Sequence, residues 1–129
     1  MSVEESQASV CTDKQANGWA FALHLTLFAG CLLPWAGFVV PIVIWQMKKE
    51  GFPIIDLHGK IVANWIVSST IYSAVFFILL IGLQGIAWLL TLLAVIAFGL
   101  FVIAFPVIGA IRALEGKTWR YPLCFDFFS

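Results

Sequence analysis

The segment Phe52-Pro53-Ile54-Ile55-Asp56-Leu57-His58-Gly59-Lys60-Ile61-Val62-Ala63-Asn64-Trp65 places an aspartate, a histidine, a lysine and an asparagine close together in a chain that is otherwise strongly apolar. Asp56, Lys60, Asn64 and Ser68 recur every four residues, the spacing that puts side chains along one stripe of a helix, and Asp56 and Lys60 are spaced for an ion pair. Such a stripe suits a proton or solute path, a docking surface, or a helix that turns its few polar groups inward. The last is preferred. Asp56, His58 and Lys60 all fall in the first helical turns, where long side chains reach water, whereas a transport path places ionisable groups near the bilayer midplane. His24 is the exception in depth. It lies among Leu23, Leu25 and Leu27 and titrates near neutral pH when unperturbed, but a histidine there is expected to be hydrogen-bonded within a bundle.

A second polar group follows the last apolar stretch, at Trp119-Arg120-Tyr121-Pro122. Asp56, His58, Lys60 and Asn64 on one helix, with Arg120 and Tyr121 after another, are expected to meet as a polar lock or interaction site, because the two helices end on the same face. No catalytic, cofactor-binding or metal-ligating residue is expected. The chain offers no paired deep carboxylates, no metal-ligand cluster, and no serine or cysteine beside a plausible base. Cys11, Cys31 and Cys124 lack CxxC spacing and read as free thiols.

The elements that carry these residues follow from the charge pattern. About fifty residues between Lys60 and Arg112 carry no formal charge. A spanning helix needs roughly 20 apolar residues, so this run holds two, over 54–81 and 86–114, reversed at Gly82-Leu83-Gln84-Gly85 where two glycines and an amide cluster. An earlier uncharged block, 18–47, is broken at Leu33-Pro34-Trp35-Ala36-Gly37, and Pro41 follows. It forms either one kinked helix of about 45 Å or a hairpin of two short helices, 19–33 and 38–47. Proline at the start of the second helix, with Asp56 in its first turn, suits a helix N-terminus. Gly116 marks the end of the last helix.

Composition agrees. Hydrophobic residues make up 62% of the 129, charged residues 11%, and mean hydropathy is +1.01, against about 25% charged in soluble domains. The fold class expected is an all-α membrane protein, a small bundle of three to four transmembrane helices with its first block broken at Pro34–Gly37. Its regions are an acidic N-terminal tail (1–17), a transmembrane helical domain (18–115) and an aromatic C-terminal tail (116–129). The tail over 1–17 has neither the basic start nor the cleavage-site pattern of a signal peptide. Lys48, Lys49, Lys60, Arg112, Lys117 and Arg120 share one face, which the positive-inside rule makes cytoplasmic. The side of the N-terminus depends on whether the first block crosses once or twice. Net charge is zero, which gives no reason to expect nucleic acid as a partner. The six tryptophans fall near predicted helix ends and read as interfacial belts.

Two stretches carry a family resemblance. The order "IVIWQMKKEGFPIIDLHGKIVANW", about fifty apolar residues, then "IGAIRALEGKTWRYPL" resembles the small bacterial membrane proteins related to Tic-twenty, a component of the chloroplast inner-envelope import machinery. The matching positions are Trp45, Lys48, Lys49, Asp56, His58, Lys60, Asn64, Gly116, Arg120, Tyr121 and Pro122, and Trp119 stands where that family often has tyrosine. The resemblance implies a multi-pass helical protein of the bacterial inner membrane, with both motifs and the C-terminus on the cytoplasmic side, and brings no known activity. The function expected is therefore a non-enzymatic accessory or scaffold subunit of a membrane assembly, whose partners are membrane lipid and another membrane protein or a second copy of itself. The alternative is a small oligomeric transporter or protein-translocation component resembling the import family.

Overall fold

A computed structural model describes residues 3–33, 35–82 and 88–128. All regular structure among them is helical. Helix α1 runs over Val3–Leu25, passes into a 3-10 segment at Thr26–Cys31, and is followed by α2 (Ala36–Lys48), α3 (Pro53–Gly82) and α4 (Trp88–Leu114). Helices α3 and α4 are long and apolar enough to cross a membrane. The expected turn at Leu83-Gln84-Gly85 lies outside the described residues, as does Pro34.

The first apolar block is a hairpin, which decides between the two forms the sequence allows. At 1.5 Å per residue the 13 residues of α2 reach about 20 Å, short of the roughly 30 Å of hydrocarbon. The hairpin closes where Gly30 meets Gly37. A Cβ on Gly37 would stand 2.8 Å from the Gly30 Cα and 3.0 Å from the Leu27 carbonyl oxygen, so only glycine lets these backbones approach so closely. At the open end Lys48 Nζ lies 4.4 Å from the centre of the Trp19 ring. The hairpin therefore returns to the side from which it started.

Helix α1 extends further toward the N-terminus than the apolar block does, taking in the acidic residues before Gly18. It packs antiparallel on α4, with Asn17 beside Gly116 and His24 beside Gly109. Small side chains allow this: Ala16 and Ala20 of α1, and Ala110 and Ala113 of α4, are all buried. Close backbone approach is how membrane helices gain packing energy where lipid supplies no hydrophobic drive. Gly116, at φ +72°, ends α4, and Lys117 N–H returns to the Arg112 carbonyl at 2.9 Å. That left-handed cap turns the chain back toward the bundle.

Helices α3 and α4 meet differently, through large rings rather than close backbones. Phe76 stacks on Phe98 at 4.5 Å, and Trp65 packs against Phe101 and Phe105. Trp65 is 2% exposed. It is thus a core residue and not the interfacial residue its position near a helix start suggests, because the segment following α4 folds over it.

The buried core occupies one end of the molecule. Ala20, Leu23, Ile55, Val62, Ile66 and Ala113 form one cluster, and Ile61, Trp65 and Tyr121 a second. Beyond Ser68 on α3, and before Pro106 on α4, no described residue is buried.

Gly37→Ala should lower stability by about 1–3 kcal/mol, the usual cost of forcing extra atoms into a packed site. Gly99→Ala, whose Cβ would meet open space, should cause no loss. Thermal unfolding of both variants in the same detergent checks the pair.

Candidate functional site

The stripe on α3 binds the chain's own C-terminal segment. After Gly116 the chain runs in along α4, with Trp119 against Phe105 and Tyr121 against Trp65. It turns at Pro122 and Leu123, the latter at φ +62°, a left-handed conformation uncommon for leucine. It then returns along α3. The Tyr72 hydroxyl donates to the Leu123 carbonyl. Ser68 Oγ accepts from Phe125 N–H at 2.9 Å and contacts Cys124 Sγ at 3.4 Å. Asn64 Oδ1 accepts from Phe127 and Phe128 N–H at 2.9 and 2.8 Å, and its Nδ2 donates to the Phe128 carbonyl at 3.1 Å. Asn64, Ser68 and Tyr72 thus satisfy an irregular segment that makes no regular ladder of its own. Tyr72 extends the four-residue spacing of Asp56, Lys60, Asn64 and Ser68 by one step, and that spacing is the signal by which it could have been found.

The outer end of the stripe is an ordinary interfacial cluster. Trp45 Nε1 donates to Asp56 Oδ1 at 2.9 Å, and Lys60 Nζ lies 3.2 Å from Asp56 Oδ2. The Trp45 ring fills the space a Cβ on Gly59 would need. Arg120 does not reach Asp56. It pairs across the tail hairpin with Asp126 at 3.4 Å, because each charge has a nearer partner on its own side. The Arg120–Asp126 pair is largely exposed and the Lys60–Asp56 pair partly so; an ion pair open to water contributes little. Arg112 and Lys117 bracket Glu115; the Lys117 hydrogen bond is the larger of the causes that hold its carboxyl below the usual range.

The deepest polar contact joins three elements. His24 of α1 places Nδ1 2.5 Å from the Tyr121 hydroxyl and Nε2 3.0 Å from His58 Nδ1 on α3. His24 and His58 are each 1% exposed and Tyr121 4%. Gly109 makes room, since a Cβ there would meet the Tyr121 hydroxyl at 2.7 Å and His24 Nδ1 at 2.8 Å. His24, read from the sequence as a lone histidine at depth, therefore has both His58 and Tyr121 as neighbours. If the tyrosine donates, His24 carries its proton on Nε2 and donates to His58, and His58 Nε2–H is left over. His58 Nε2 is the one buried side-chain polar atom without a partner among the described residues.

Between the stripe and the tail lies an open cavity of about 150 Å³, lined by Lys60, Asn64, Arg120, Cys124 and Asp126 among others. No group of three or more His, Cys, Asp or Glu side chains that could hold a metal occurs among the described residues. Cys31 and Cys124 are free thiols.

Residues 15–128 match the model of the MamF/MmsF family, the magnetosome magnetite crystal formation proteins. The chain belongs to that family. The match takes in both stretches on which the resemblance to the Tic-twenty relatives rests, and it assigns them to a different family, which corrects that resemblance. No curated protein and no solved structure matches the chain. Family membership and the two apolar helices agree on a membrane protein.

Asn64→Leu removes the acceptor of the Phe127 and Phe128 N–H groups, and an intramolecular hydrogen bond of this kind contributes about 0.5–1.5 kcal/mol. Amide exchange at Phe127 and Phe128 should accelerate by about tenfold for each 1.4 kcal/mol lost in local opening, while exchange in α1 stays unchanged. Asp56→Ala and Arg120→Ala should each have small effects that add within about 0.5 kcal/mol, since the two residues share no partner; a double-mutant cycle on unfolding free energies reads this directly.

Proposed function

We propose that this protein is a non-enzymatic integral subunit of the magnetosome membrane, acting in magnetite crystal formation as a scaffold for another membrane protein or for a second copy of itself. The observation that carries this reading is the destination of its polar groups. His24, His58, Asn64, Ser68 and Tyr72 are each used to hold one segment of the chain against another. The polar lock expected of Asp56, His58, Lys60, Asn64, Arg120 and Tyr121 is on this reading an internal clamp on the tail. Its outer rim at Lys60, Arg120 and Asp126 is the surface presented to a partner. The basic end of the bundle faces the cytoplasm by the positive-inside rule, and the α3–α4 connection faces the other compartment.

A scaffold acts in proportion to its amount, whereas a catalyst tolerates large reductions before output falls. In a strain with titratable expression, crystal number or size, measured by electron microscopy, should therefore decline steadily as the protein is withdrawn. Normal crystals in its complete absence would overturn the reading, and an abrupt loss only at trace levels would favour a catalyst.

A further inference from the structure

The two halves of the molecule differ in cross-section. At the basic end the bundle contains α1 with its 3-10 extension, α2, α3, α4 and both legs of the tail, and among the described residues every buried one lies there. At the other end only residues 69–82 of α3 and 90–105 of α4 continue, with none of their described residues buried. The depth at which the extra segments stop can be read from α3. Tyr72, which holds the tail at its turn, lies ten residues before Gly82. That is about 15 Å at 1.5 Å per residue, half of a hydrocarbon core of about 30 Å.

The α1–α2 hairpin stops at a similar level. Trp45 stands beside Asp56 and Gly59. From Trp45 to Ala36 is nine residues, so α2 begins about 14 Å deeper, near the level of Ser68. The hairpin tip is strongly apolar and open: Leu32 is 88% and Trp35 79% exposed. An apolar tip that does not cross and that the other described segments leave uncovered fits hydrocarbon near the bilayer centre.

We propose that the protein is a one-leaflet wedge that favours membrane convex on its basic side. The occupant of the exposed faces is lipid: full-depth lipid around the distal halves of α3 and α4, and a single displaced leaflet around the hairpin and tail. Two helices of about 10 Å diameter present in one leaflet and absent from the other amount to an excess of at least ~160 Å² per molecule. Lipid relieves that mismatch by bending toward the narrower side. The inference rests on the membrane reading above, and the test separates the two.

The full chain is reconstituted at low density into phosphatidylcholine–phosphatidylglycerol vesicles of mixed diameter, and its orientation is assigned by trypsin access to Lys48, Lys49 and Lys117. With the basic end outward, protein density per unit area should be several-fold higher on the smallest vesicles than on the largest, and with the basic end inward the trend should reverse. Density independent of diameter in both orientations would overturn the wedge, as would distal halves that pair in a stable dimer with no curvature preference. Failure to float with vesicles after carbonate washing would instead overturn the membrane reading. A nitroxide on the native Cys31, with Cys11→Ser and Cys124→Ser, tests the hairpin depth separately. Oxygen accessibility should be high and nickel-chelate accessibility low, as at mid-bilayer, and an interfacial value would refute the wedge even if the vesicles sort.

Discussion

Backbone polar groups in hydrocarbon must be bonded within the protein, because no water is there to take them. Helices meet this rule by themselves, but the segment after Gly116 is irregular and can lie beside α3 only if other groups take its N–H and C=O. Asn64, Ser68 and Tyr72 supply those groups. The rest of the basic end depends on that accommodation. Tyr121 reaches His24 because the tail is held in place, and Trp65 is buried because the tail covers it. The aromatic contacts between α3 and α4 span a gap that the tail occupies nearer the basic end.

Much of this was legible in the chain, and the part that was not has a physical reason. The apolar run between Lys60 and Arg112 marks two long helices because length and charge alone set the cost of crossing. The four-residue spacing from Asp56 to Ser68 marks an inward-facing stripe because polar groups facing lipid have no partner. What the stripe binds is not local information. The tail contacts pair positions more than fifty residues apart, and no periodicity connects them. Arg120 illustrates the limit: its charge suggested Asp56 across the bundle, but the turn at Leu123 brings Asp126 closer. The sequence leaves the broken first block open between two forms, and the Gly30–Gly37 approach decides it.

The family match and the geometry constrain different things. The family is described by magnetosome magnetite crystal formation. The structure shows how a short chain builds a polar end by spending its asparagine, serine, tyrosine and histidine side chains on its own backbone and on one another. The His24–His58–Tyr121 chain is the most enclosed part of that end, and its leftover His58 nitrogen is the point at which satisfaction is incomplete.

The contact between His24 and Tyr121 joins residues 97 positions apart, and this bears on how the molecule is made. The α1–α2 hairpin is synthesised before α3 and α4, yet it is too short to span, and its buried histidine meets His58 only once α3 exists and Tyr121 only once the segment after α4 exists. Order of synthesis and order of assembly therefore differ. Helices α3 and α4 can settle as independent spans, and the earlier hairpin docks against them afterwards, in the second stage of a two-stage process. Until then His24 and the small-residue face of α1, both buried in the folded chain, lack the α4 surface that covers them.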